Sequence, residues 1–200
     1  VFRPLDRAAS RRTLGLDGDD EIILYVGRFV EAKGLLELLG AMGRLARQRP
    51  RLRLALVGDG VMKDRLPGLL AERGLLDRTL LPGGLPPPEV ATWIGACDTL
   101  TLPSWSEGYP NVVVEALACG RPVVATDVGG TREIFDERRG RLIPPRDVDA
   151  LTEALRQTLD QRWDPTAIAD GMTRTWDDVA VETMAVCEAV LGGGGRSTGS

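Results

Sequence analysis

Four charged side chains carry most of the chemistry this sequence can do: Arg28 and Lys33, and then Glu107 and Glu115, separated by seven residues. A carboxylate can accept hydrogen bonds from two vicinal hydroxyls at once, such as a ribose or a hexose offers. An arginine and a lysine beside a helix N-terminus make an anion site suited to a phosphate or diphosphate. Both cations fall in Gly27-Arg28-Phe29-Val30-Glu31-Ala32-Lys33-Gly34, and Lys33 is one of only two lysines, the other being Lys63. Glu107 falls in Pro103-Ser104-Trp105-Ser106-Glu107-Gly108-Tyr109-Pro110-Asn111, where Pro110 is placed to open a helix that carries Glu115. Helical side chains lean toward the N-terminus, so Glu115 can face the cleft that Glu107 edges. The backbone N–H groups of Asn111 and Val112 are then free at the helix start and can hold a phosphate. Glu115 is flanked by Val114 and Ala116-Leu117, an apolar setting in which an unpartnered carboxylate is costly. That cost favours a functional placement over an incidental one.

Two glycine pairs are weaker signals. Gly58-Asp59-Gly60 is half of a G-x-G-x-x-G, with Lys63 where the third glycine would fall. Gly129-Gly130, followed by Thr131 and Glu133, permits close backbone approach. In both places a plain tight turn competes evenly with contact to a ligand.

These residues need a scaffold, and short apolar runs alternating with amphipathic segments describe one. Strands are expected at 22–26, 52–57, 79–81, 98–102, 122–126 and 141–143. Helices are expected at 35–49, 61–73 with Pro67 as an interruption, 87–96, 110–119, 131–135 and 148–161, with two more segments between 165 and 191. The first residues read as charged and irregular. Such alternation gives an α/β fold: a Rossmann-like parallel sheet of about six strands with helices on both faces. Ligands of such sheets bind outside the carboxyl ends of the strands, which is where the charged and glycine-rich motifs fall.

Composition narrows the chemistry. The chain has 200 residues, 43% of them hydrophobic, enough for one generous domain with a real core. Histidine is absent, which removes the commonest general base and any Ser-His-Asp or Cys-His arrangement. A net charge of −4 argues against general binding to nucleic acid. Cys97, Cys119 and Cys187 are an odd set in apolar helical stretches, read as core packing in a reducing cytoplasm. No apolar run approaches the roughly 18 residues of a membrane span.

Taken in order, Gly27-Arg28 through Lys33-Gly34, Gly58-Asp59-Gly60, Pro103-Ser104, Glu107 with Glu115, and Gly129-Gly130 through Glu133 resemble a known family. They are similar to the C-terminal domain of the group one glycosyl transferases, the large retaining family four with the two-Rossmann GT-B fold. The likeness runs from about Val1 to Leu191 and is closest from Glu107 to Thr126. It implies one half of a GT-B fold that binds a nucleotide-sugar donor, with a UDP-sugar favoured, and that moves the glycosyl group to an acceptor. In that resemblance Arg28 and Lys33 act on the donor diphosphate and stabilise the leaving group. With Glu107, which contacts the transferred sugar, they form the implied catalytic set. Glu115 binds the ribose hydroxyls, and the base rests against backbone near Leu81–Leu85. Gly27, Gly58, Gly60, Leu85, Ser104, Tyr109, Pro110, Asn111 and Val112 complete the implied donor-binding set. No cofactor and no metal is implied, since the basic pair and the helix dipole do that work.

The same resemblance makes 1–191 the donor-binding domain, with Trp176 opening the helix that crosses to a partner domain, and the Gly192-Gly193-Gly194-Gly195 run followed by Arg-Ser-Thr-Gly-Ser reads as a flexible tail over 192–200. The N-terminal acceptor domain is absent from the chain, and any peripheral membrane contact would belong to it. Members commonly carry Phe-Gly where this chain has Tyr109-Pro110-Asn111, so the sugar stays open. Two rivals are set aside: a phosphorylase needs a pyridoxal lysine, and a dehydrogenase needs the full glycine fingerprint. A non-catalytic nucleotide-binding module and a nucleotide-sugar epimerase-like domain of the same fold stay as alternatives, although an epimerase needs its own acid–base groups.

Overall fold

The computed structural model describes residues 1–172 together with 180, 181, 183–185, 187 and 188. Val1–Asp170 form one compact unit and Gly171–Ser200 a second. In the second unit the described residues from 180 to 188 are helical. Trp176 and the 192–200 tail lie outside the described residues.

The first unit opens with a helix that sequence patterning missed, α1 (Arg7–Leu14). Its turns are charged, but its ends are marked: the Asp6 side chain accepts from Ala9 N, and Gly15 closes it at φ 67°. The charge is the reason it folds here. Arg11 is buried, and its guanidinium donates to the carbonyls of Ala96, Asp17 and Gly18 and to Asp98 at 2.7–3.1 Å.

The rest alternates: β1 (Glu21–Val26), α2 (Leu35–Leu45), β2 (Leu52–Val57), α3 (Leu66–Ala71), β3 (Thr79–Gly83), α4 (Pro87–Ala96), β4 (Thr99–Leu102), α5 (Asn111–Ala118), β5 (Val123–Thr126), α6 (Thr131–Ile134), β6 (Gly140–Ile143), α7 (Val148–Asp160) and α8 (Pro165–Ala169). The expected helix at 61–73 is shorter, because residues 63–65 form a 3-10 turn and Pro67 sits in the first turn of α3 rather than interrupting it.

The six strands are all parallel in the order β3-β2-β1-β4-β5-β6. Helix α2 packs on α7, and α1 packs on α4, which in turn meets α5. Ile22 to Tyr25 of β1 and all four residues of β4 and of β5 are buried, as parallel strands covered on both faces require. The chain runs outward from β1 to β3 and then returns to β4 on the other side of β1. That reversal splays the loops after β1 and β4 apart at their carboxyl ends and opens a crevice between them. Cys97 and Cys119 are buried as expected, and burial pushes the Cys119 thiol up to about 11 and the Cys97 thiol up to about 12. Cys187 is exposed, so the core reading does not extend to it.

Candidate functional site

The crevice at the reversal is a cleft of about 360 Å³. Its walls include Gly27, Arg28, Lys33, Leu85, Glu107, Tyr109, Pro110, Asn111, Val112 and Glu115, so loops far apart in sequence meet there. Lys33 Nζ lies 2.6 Å from Glu107 Oε1, which joins the loop after β1 to the loop after β4. Both groups are largely shielded, and a pair so placed is a stronger link than a surface salt bridge. Arg28 is exposed, and among the described residues it makes no side-chain hydrogen bond or ion pair. Its guanidinium therefore faces the cleft with its donors unspent.

Glu115, on the first turns of α5, is half-buried. Burial raises its carboxyl above the ordinary glutamate value, and no described group partners it. A carboxylate in that state is stabilised by any ligand that brings hydroxyl donors to it. Tyr25 lies beneath, buried, donating from its hydroxyl to the Arg28 carbonyl at 2.8 Å. Burial, reinforced by the nearby Glu107 charge and offset in part by Arg28, holds this phenol well above its usual range, so it stays a neutral donor.

The helix start is less free than its sequence suggests. Asn111 N–H donates to the Tyr109 carbonyl at 3.0 Å, because Pro110 turns the chain tightly there. That leaves the Val112 N–H as the donor at the head of α5, together with the dipole of the helix.

Three of the expected contact residues are not brought to the cleft wall. Gly58 and Gly60 have φ of 145° and 154°, and a Cβ at either would strike the backbone of Gly27–Phe29, 1.9 Å from Gly27 O and 2.6 Å from Phe29 O. They seat the loop that carries Arg28. Ser104 is fully buried, its carbonyl accepting from Thr126 Oγ1 at 2.6 Å, and its own Oγ has no hydrogen-bond partner among the described residues. Gly129-Gly130 follows the pattern of Gly58 and Gly60. Gly129, at φ 52°, brings its Cα so near that a Cβ would lie 1.7 Å from Glu107 O, and Gly130 N–H donates to Gly108 O. The close approach that these glycines permit is to the loop of Glu107.

Phe2, Val26, Pro87, Val90 and Leu102 also line the cleft, and sequence patterning passed over them. Val26 and Leu102 end β1 and β4, and Pro87 and Val90 belong to the first turns of α4. For these four, that position, last in a strand or first in a helix, was the available signal. Among the described residues no group of three His, Cys, Asp or Glu side chains is placed to hold a metal ion.

The family model described as "Glycosyl transferases group 1" matches residues 6–171. A Bacillus subtilis (strain 168) protein named as a teichuronic acid biosynthesis glycosyltransferase is 39% identical over 166 residues, 82% of this chain and 40% of that protein. The structure of sucrose-phosphate synthase from Thermosynechococcus elongatus aligns with 96% of this chain and 50% of its own, at 31% identity and a TM-score of 0.80. That of Anabaena Alr3699/HepE in complex with UDP and glucose aligns with 94% of this chain and 53% of its own, at 25% identity and a TM-score of 0.75. The chain thus spans about half of these structures and less than half the length of the curated relatives it matches.

Proposed function

From the premise that this chain belongs to the group 1 glycosyl transferases, we propose that Val1–Asp170 is the donor-binding unit of a retaining enzyme that uses a nucleoside-diphosphate sugar, with a UDP-sugar favoured. The observation that carries this reading is the meeting of Arg28, Lys33, Glu107, Glu115 and the head of α5 in one cleft at the sheet reversal. Those groups match the parts of such a donor in order. Glu115 accepts from the ribose hydroxyls, which supply the donors it lacks. Arg28, Lys33 and the Val112 N–H take the diphosphate, and the base lies toward Leu85, with Phe2, Pro87 and Val90 as apolar neighbours.

Chemistry follows from where charge develops. When the bond between the anomeric carbon and the diphosphate oxygen breaks, the electron pair stays with the diphosphate. Arg28, Lys33 and the positive end of α5 stabilise that charge without having to reorganise. Glu107 accepts from hydroxyls of the transferred sugar and orients its ring. Retention follows if the acceptor enters on the face the diphosphate leaves, and the acceptor itself belongs to a partner domain outside this chain. No metal or other cofactor is needed for these roles. The free thiols at 97, 119 and 187 support a reducing, cytoplasmic setting.

Thermal denaturation tests the reading. UDP is expected to raise the Tm of the 200-residue chain more than GDP or ADP does, and Lys33→Ala or Glu115→Ala is expected to erase the rise. A chain whose Tm no nucleoside diphosphate moves would speak against donor binding.

A further inference from the structure

Trp105 stands two residues before Glu107, and four observations converge on it. Its backbone N–H donates to the carbonyl of Ala32, the residue before Lys33, at 2.9 Å. Its indole Nε1–H donates to Glu37 Oε1 on the first turn of α2 at 2.9 Å. The guanidinium of Arg146 lies 4.1 Å above its ring centroid. And Arg146 is the one non-glycine residue with a positive φ, 60°, among the described residues. A left-handed arginine costs free energy that its surroundings must offset. The interaction found at this arginine is the cation over the ring. Glu37 is equally committed, because its second oxygen is buried with no partner among the described residues, so the indole donor is the one bond its carboxylate has there.

We propose that Trp105, anchored by Glu37 and capped by Arg146, is a positioning residue that holds Lys33 and Glu107 in contact. The tryptophan is tied by its main chain to the lysine's loop and carries the glutamate on its own. Fixing the ring therefore fixes both ends of the pair, although no atom of Trp105 lines the cleft. Its bearing on catalysis rests on the donor-site reading above. Its bearing on the ion pair does not.

The chain has two lysines, which makes a direct test available. Lys33 is shielded in its pair with Glu107, whereas Lys63 is exposed in its pair with Asp59 and serves as the internal reference. Acetylation with acetic anhydride, followed by mass spectrometry of the two lysine peptides, gives the Lys33-to-Lys63 labelling ratio. Glu107→Gln sets the scale for a broken pair. Trp105→Ala, and Arg146→Gly, which suits a left-handed φ while removing the cation, are expected to raise the ratio about three- to tenfold. Trp105→Phe, which keeps the ring but loses the indole donor, falls between. Arg146→Lys, which keeps a cation for the ring, stays within about twofold of wild type. A ratio unchanged in Arg146→Gly and Trp105→Ala, both with native circular dichroism, would overturn the proposal. A separate arm adds UDP to the wild type. Slower acetylation of Lys33 is expected, and its absence would bring down the donor reading while leaving the clamp on the ion pair established by the ratios.

Discussion

Both ends of the sheet gather charged residues of both signs and put them to different use. At the amino ends of the strands lies the larger hollow, about 540 Å³, lined by Asp19, Glu21, Arg49, Arg51, Arg156 and Asp160 among others. Every arginine there has a carboxylate partner: Arg49 on Glu21 and Asp160, Arg51 on Asp19, and Arg156 on Glu153 and Asp160. Nearby, buried Arg121 donates to the carbonyls of Leu5, Ile94 and Gly95. At the carboxyl ends the cleft is smaller, yet Arg28 and Glu115 are unpartnered among the described residues and the head of α5 keeps a free N–H. The difference teaches that neither the size of a hollow nor its charge marks a site. What sets the carboxyl end apart is unspent hydrogen-bonding capacity that faces a cleft, because only that is left for a ligand.

This contrast can be broken by exchanging the consequences of mutation between the ends. The largest effect is expected at Arg11. Arg11→Met leaves three carbonyls without their donor and should cost about 3 kcal/mol, lowering the Tm by roughly 6–12 °C. UDP affinity, measured by calorimetry, should not change. Lys33→Ala is the mirror image. It should weaken UDP about 10- to 100-fold, because charge-assisted bonds to a diphosphate are lost, while the Tm without nucleotide falls by less than in Arg11→Met, since Glu107 is the one group left without its partner. If Lys33→Ala unfolds the chain, or Arg11→Met abolishes binding, the two ends are not separate.

A third variant sharpens the carboxyl end itself. Gly129→Ala forces a Cβ against the Glu107 carbonyl and should cost about 1–3 kcal/mol of stability. By displacing Glu107 it should also remove whatever extra affinity UDP-glucose has over UDP, leaving UDP affinity close to wild type. Calorimetry with the two ligands checks this.

The fold was largely legible because each strand is a short buried apolar run and each helix has a marked start or stop. The charged first helix was not, since its buried face is an arginine that satisfies carbonyls instead of a leucine that fills space. At the site, the residue types identified the charged groups well: the two cations and two carboxylates come to one cleft. The glycines were readable as places of close approach, but a sequence does not say what approaches. At Gly58, Gly60 and Gly129 the partner is the protein's own backbone. In the same way, Ser104 sits inside the core, and the Asn111 N–H is already bonded to its neighbour's carbonyl. The left-handed conformation of Arg146 leaves no trace in residue type at all.

The smallest expected effect concerns pH. Burial raises the Glu115 carboxyl in the folded chain above its unfolded value. Its contribution to stability is therefore present below the unfolded value and is lost as pH rises through the folded one. Glu115→Gln should accordingly melt slightly higher than wild type at pH 8, and the gap should close on going to pH 4. Melting curves of the two proteins across that range decide it, and a gap that widens toward acid would contradict the assignment.

On the reading proposed above, the carboxyl-end cleft takes a nucleoside diphosphate through its unspent groups. Titrating UDP into the 200-residue chain by calorimetry tests it most directly. Saturable one-site binding is expected, weakened by both Lys33→Ala and Glu115→Ala and unaffected by Arg11→Met. No binding by the folded wild type, or binding that both cleft variants retain in full, would contradict it.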